Sequence, residues 1–185
     1  MKNSRKIGFW VAILASAVLL SGCASGLRTT KSAKLRDNAT LLIMPPHDVV
    51  QNGQPHEMGK GSGEYLRKAV NEKLAQRTNL KLVSFEPTAT INNTTIITKS
   101  DALAEARKVK ADYVLVLGLG EFMNAAPMTF RPDFATLESG FLFDVASGEE
   151  VWSVKSPLML QKGNIGNHLV LIDKMAASVA QTIAK

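Results

Sequence analysis

The stretch Tyr113-Val114-Leu115-Val116-Leu117 sets the tightest limit on what this chain can become: five apolar residues in a row, with no polar residue to turn toward water. Successive side chains of a strand point to opposite faces, so such a run needs cover on both sides and predicts the central strand of a sheet. A length of 185 residues gives room for one domain with a real core, and hardly for two.

The remaining elements fall around that strand. Thr40-Leu41-Leu42-Ile43-Met44 is a short apolar run stopped by Pro45-Pro46, which suits a buried first strand. Residues 47–63 hold four Gly, one Pro and no period, and predict a loop. From 63 to 77 the spacing predicts a helix, with Tyr65, Leu66, Ala69, Val70, Lys73 and Leu74 on one face. Residues 80–85 predict a second strand ended by Glu86-Pro87, and 88–99 a loop or weak edge strand. Ser100 suits the N-cap of a helix to about 110, with Leu103, Ala106 and Val109 inward. Residues 134–143 alternate, placing Ala135, Leu137, Phe141 and Phe143 on one face and Thr136 and Glu138 on the other. A turn at 146–149 leads to a hairpin partner at 151–155. Asn167 suits the cap of a last helix to about 184, with Ile172, Met175, Ala176, Val179 and Ile183 buried. The order is β-α-β-α-β-β-β-α: an α/β (α+β) domain with a mixed sheet and helices packed mainly on one face.

The N-terminus carries an address. Lys2, Arg5 and Lys6 precede an apolar run from Ile7 to Leu20 broken only by Gly8 and Ser16. As a helix that run is about 21 Å long, short of the ~30 Å hydrocarbon core, so it reads as a signal peptide (1–22) rather than a span. It ends in Leu20-Ser21-Gly22-Cys23, which resembles the bacterial lipobox, and Cys23 is the only cysteine. A diacylglycerol on Cys23 removes a thiol that oxidation would otherwise threaten, and several acyl chains hold a membrane where one does not. In lipoproteins of this type an Asp just after the cysteine retains the protein in the inner membrane. Ala24 and Ser25 stand there, so the resemblance implies the outer membrane, facing the periplasm.

Residues 23–38 show no period and are rich in Ser, Thr, Lys and Arg, which predicts a flexible tether before a domain at 39–185. Arg28, Lys31, Lys34 and Arg36 face one Asp37 there, a charge balance that keeps a linker solvated and also suits anionic headgroups or cell wall. Net charge is +6 over the whole chain and +3 without Lys2, Arg5 and Lys6. That excess is too small to point to nucleic acid.

Two phrases within this element order resemble a known group. Lys110-Ala111-Asp112-Tyr113-Val114-Leu115-Val116-Leu117-Gly118 is similar to the "gadyvltG" strand after the second helix of the TolB N-terminal domain. Asp144-Val145-Ala146-Ser147-Gly148-Glu149-Glu150-Val151-Trp152 resembles the D-x-x-T-G-x-x-v-w hairpin of the same group. That group includes the curli-secretion lipoprotein CsgG, lipoprotein activators of penicillin-binding proteins, the Pel exopolysaccharide lipoprotein and several uncharacterised lipoprotein families. The likeness covers roughly 40–184. It implies a fold, an envelope protein as partner, and self-association by analogy with CsgG and the Pel lipoprotein. Its motifs are structural, a turn and a buried Trp, and fold alone does not choose a function. The long membrane-crossing strands of CsgG have no counterpart in this sequence, which argues against a channel.

Candidate chemistry is sparse. Gly59-Lys60-Gly61-Ser62-Gly63, just before a helix, could cradle an anion or small ligand on free N–H groups, but it lacks P-loop spacing. His47, Asp48, His56 and Glu57 are ligand types without a metal motif. His168 is expected as a polar first-turn residue, and Trp152 as core. Phe130, Arg131 and Phe134 place aromatics beside a cation in a polar loop, which suits a protein or glycan contact. No Gly-x-Ser-x-Gly or Ser-x-x-Lys occurs, and Glu149 and Glu150 are adjacent in a turn. The expectation is a non-enzymatic, protein-binding lipoprotein with no cofactor and no metal; the alternative is a glycan or small-ligand binder.

Overall fold

In the computed structural model the described residues are 26–48, 50–51, 54–55, 59–83, 85–92, 94–123, 133–162 and 168–185. The signal segment, Leu20, Ser21, Gly22, Cys23, Phe130, Arg131 and Asn167 lie outside them. In chain order the elements are β1 (Thr29–Lys31), β2 (Thr40–Ile43), β3 (Val50–Gln51), β4 (Gln54–Pro55), α1 (Ser62–Ala75), β5 (Lys81–Val83), α2 (Lys99–Lys108), β6 (Tyr113–Met123), β7 (Asp133–Asp144), β8 (Glu150–Val154), β9 (Leu158–Lys162) and α3 (Leu169–Ala184). One mixed sheet runs β1-β8-β7-β6-β2-β5, with β9 beside the first half of β7 and β3 paired with β4 and β6. Strand β2 is parallel to β6 and β5, while β6, β7, β8 and β1 alternate in direction.

The all-apolar runs are explained by two cores. In β2 and the residue after it, Leu41 and Ile43 enter one core, and Leu42 and Met44 the other. Tyr113, Leu115, Leu117 and Leu119 of β6 share the first core with α1 and α3, whose Leu66, Val70, Leu171, Ile172, Met175 and Val179 are buried against them. Val114, Phe143 and Val145 join Ala102, Leu103 and Ala106 of α2 in the second. Two helices cover one face and one covers the other, so period-two alternation sends every residue of these runs into apolar surroundings.

The alternation expected along 134–143 breaks once. Ala135, Leu137 and Leu142 lie in the first core, whereas Phe141 and Phe143 pack with the second. The cause is a bulge: Gly118 pairs with Ser139 but Leu119 pairs with Leu137, leaving Glu138 as an extra, exposed residue. A second shift between Leu119 and Phe122 of β6 restores the register, and the Thr136 hydroxyl closes it by donating to the Glu121 carbonyl at 2.6 Å. One extra residue flips each following side chain to the other face.

Other differences have local causes. The cap of α2 lies two residues before Ser100, at Thr98: its hydroxyl accepts from the Asp101 N–H at 3.2 Å while Asp101 accepts from the Thr98 N–H at 3.2 Å. The same helix stops at Lys108, so Val109 is exposed rather than inward. Tyr65 also faces solvent, at the wet margin of α1. The stretch read as a loop holds the short pair β3–β4. Within the stretch read as a tether, Thr29–Lys31 pair with β8, and Leu27 and Leu35 pack on the first core. Their alternation with polar residues is too brief to read as a strand, yet it satisfies an open sheet edge.

The hairpin phrase forms as its chemistry requires. Asp144 Oδ1 accepts from the Ala146 and Ser147 N–H groups at 2.9 and 3.0 Å, and Gly148 takes a φ of 73°. Trp152, 1% exposed, lies over Gly140, where a Cβ would come within 3.0 Å of Trp152 Cζ3 and 2.9 Å of a Val154 methyl. Among the described residues no helix is long and apolar enough to cross a membrane.

Candidate functional site

The glycine loop is built and already occupied. Helix α1 begins behind Gly61, which takes a left-handed φ of 82° and offers no side-chain cap. The first N–H groups of a helix have no partner within it and attract negative charge. Here Asp48 supplies that charge: Gly61 N–H donates to Asp48 Oδ2 at 2.8 Å, and Gly63 N–H to Oδ1 at 2.9 Å. Gly63 also presses against the segment just after β2, since a Cβ there would lie 2.0 Å from the Pro46 carbonyl oxygen. Gly59, Gly61, Ser62 and Gly63 thus join β2 to α1, with Ser62 buried and Lys60 exposed. The anion expected at this cradle is the chain's own carboxylate.

The other expected residues are described only in part. His47 Nδ1 is 3.0 Å from the Asp48 carbonyl oxygen, and His56 and Glu57 lie outside the described residues. Among the described residues no group of three or more potential ligands gathers for a metal. Phe134 is half-buried in β7, paired with Met123 on one side and Gln161 on the other, so its contact with Phe130 and Arg131 is beyond what is described. His168 is not a solvated first-turn residue. It is 6% exposed at the N-cap of α3, and its ring sits 4.5 Å from that of Phe122. Burial holds its pKa below the usual imidazole value, with the buried Asp133 carboxylate pulling the other way.

Three of the four basic residues read as linker charges, Lys31, Lys34 and Arg36, converge instead. Chain 31–37 lies beside the ends of α1 and α3 and with them forms an open groove of about 380 Å³, walled in part by Lys31, Lys34, Arg36, Asp37 and Arg77. Two of the cations are committed. The Lys31 ammonium donates to the Ile183 carbonyl at 2.7 Å, covering an end group that α3 cannot satisfy itself, and burial followed by Lys34 repulsion lowers its pKa. Arg36 lies 5.2 Å from the Tyr113 ring centroid and bridges Asp112 (3.3 Å) and Asp144 (3.5 Å), while Asp112 also accepts from the Thr40 N–H at 2.7 Å. Lys34 and Arg77 are exposed, and among the described residues neither is in an ion pair. Sequence reading missed Arg77 because it enters from a different element; only the tertiary fold brings it to the other three.

No protein-family model matches the chain, and no curated protein does either. Among solved structures, the chain is similar to PelC from Paraburkholderia phytofirmans, described as a dodecamer, with a TM-score of 0.61 and 15% identity over 85% of this chain and 96% of that one. The C-terminal domain of LpoB from Escherichia coli aligns at a TM-score of 0.46 and 22% identity, covering 69% of this chain and 87% of that one. Lipoprotein GNA1162 from Neisseria meningitidis aligns at 0.46 and 15%, over 79% and 98%. At these identities the PelC likeness establishes a shared fold and nothing of chemistry.

Proposed function

We propose that the protein is a lipid-anchored periplasmic lipoprotein, held to the outer membrane through Cys23, whose domain binds another envelope protein as a non-enzymatic accessory or scaffold. The observation that carries the reading is the ordered N-terminal signal: basic start, short apolar run, then Leu20-Ser21-Gly22-Cys23 with Ala24 and Ser25 behind it. A domain with the fold of PelC supports it, and so does Asp48, whose carboxylate fills the cradle on which a small-ligand or glycan reading would rest. The dodecameric state of PelC motivates self-association here as well, which size measurement of the purified protein decides. Crosslinking in intact cells tests the central reading. A specific envelope protein should be captured by the natural chain and lost when Cys23→Ala mislocalises it; repeated capture of nothing specific would contradict the scaffold role.

A further inference from the structure

Of the four cations of 28–36, expected in a linker, the fold seats Lys31, Lys34 and Arg36 on one groove and ties Arg28 to the sheet edge. Strand β1 is tied to the sheet edge by its ladder with β8, by the Lys155 N–H donating to the Arg28 carbonyl at 2.9 Å, and by a 2.6 Å hydrogen bond between the Thr30 and Ser153 hydroxyls. Arg28 is therefore fixed on the domain, and only five peptide steps separate it from Cys23. Fully extended, that stretch spans about 18 Å. The tether therefore keeps the domain next to its bilayer. At full extension, roughly two Debye lengths at physiological ionic strength, the surface field is largely screened, and it acts strongly only when the domain lies close to the headgroups.

Among the described residues, cations gather at the groove. Lys31, Lys34, Arg36 and Arg77 surround the groove against the single carboxylate of Asp37. Lys31 and Arg36 are held by Ile183, Asp112 and Asp144 and keep the groove's shape. Lys34 and Arg77, exposed at its rim, are free to take phosphate oxygens. The carbonyl ends of α1 and α3 also point to this region and favour cations over anions. The Lys31 ammonium on the Ile183 carbonyl offsets that at α3.

We infer that this groove, formed where 31–37 passes the ends of α1 and α3, docks the domain on the phosphate headgroups of anionic phospholipid, with Lys34 and Arg77 as the contacting residues. The inference rests on the lipid anchoring proposed above for its place at the membrane, and fixes which face of the domain turns toward the bilayer. The opposite end of the sheet, where β6 ends and β7 begins, then points away and is left for a protein partner.

The test uses the full chain purified from membranes, with Asn79→Cys at the groove rim as the single free thiol for an environment-sensitive dye. The protein is reconstituted into vesicles of phosphatidylcholine alone or with about one third phosphatidylglycerol. The dye should shift only in the anionic vesicles. Lys34→Glu with Arg77→Glu should weaken that response at least about tenfold, as should several-fold higher salt, whereas the equal charge change Arg107→Glu with Lys174→Glu should leave it intact. Identical spectra in both vesicle types, or equal loss from both variants, would overturn the docking face. A response to millimolar inorganic phosphate that abolishes the vesicle effect would overturn it too, in favour of a free-phosphate pocket. Intact mass reads the anchor separately: a chain without acyl groups defeats the anchoring, while its co-sedimentation with anionic vesicles still reports on the groove.

Discussion

Replacing Asp48 with Ala removes a carboxylate that satisfies the start of α1 from outside. Its carboxylate accepts two N–H bonds, from Gly61 at 2.8 Å and Gly63 at 2.9 Å. A hydrogen bond to a charged group contributes about 1.5–3 kcal/mol, and loss of an N-cap typically costs about 1. Asp48 is half-buried and water can reach part of the vacated site, so the loss falls below the roughly 3–6 kcal/mol sum of two such bonds and above that of a simple cap. The expected loss is about 2–3 kcal/mol for Asp48→Ala, and about 1 for Asp48→Asn, which keeps one acceptor. In a urea titration followed by circular dichroism, the midpoint should fall with the slope unchanged. The vacated amides should then take an external anion. A sulfate site with a Kd on the order of 10 mM returns about 1.4 kcal/mol at ~100 mM sulfate. Because sulfate stabilises folded proteins generally, the readout is the excess over the natural chain. A variant within about 0.5 kcal/mol of the natural protein, or with the same sulfate response, would refute the claim that Asp48 fills the cradle.

Further outcomes follow from single contacts. Gly140→Ala drives a Cβ to within 3.0 Å of Trp152 Cζ3 and should cost about 1–3 kcal/mol, with altered fluorescence from Trp152, the one Trp of the chain after the signal segment. Burial lowers the pKa of His168 in the folded state below its ordinary 6.5, so the unfolded chain binds its proton first; stability should be full above about 6.5 and fall as pH drops below it. His168→Gln should flatten that segment of a denaturation-versus-pH curve; an unchanged slope would contradict the assignment. Thr98→Ala removes the α2 capping box and should lower the urea midpoint by the equivalent of about 1 kcal/mol, whereas Ser100→Ala should change it little.

What the sequence disclosed, and what it hid, divides along the range of the interactions. The buried runs at 40–44 and 113–117 announced a two-faced central sheet, because an unbroken apolar strand has only that solution. The buried face of α3 was likewise legible: Ile172, Met175, Ala176, Val179 and Ile183 all lie in the first core. Asp144 and Gly148 spelled out their turn, since both act within a few residues. The bulge at Glu138 was invisible, because nothing in β7 alone says where its partner slips register. The role of Asp48 was hidden for the same reason: its two donors lie 13 and 15 residues away, across a loop without periodicity. Strand β1 escaped notice because three residues carry no period, and the edge of β8 that recruits them is 123 residues distant. The basic groove is a tertiary object in the same sense: Lys31, Lys34 and Arg36 are visible as a cluster, but Arg77 joins them only through the end of α1.

The membrane address carries the proposed function, and one measurement reaches it directly: mass spectrometry of the N-terminal peptide from protein extracted from its native membranes. The account predicts a peptide that begins at Cys23 and carries a thioether-linked diacylglycerol with an acylated amine. An unmodified Cys23, or a chain that begins at any other residue, would contradict it.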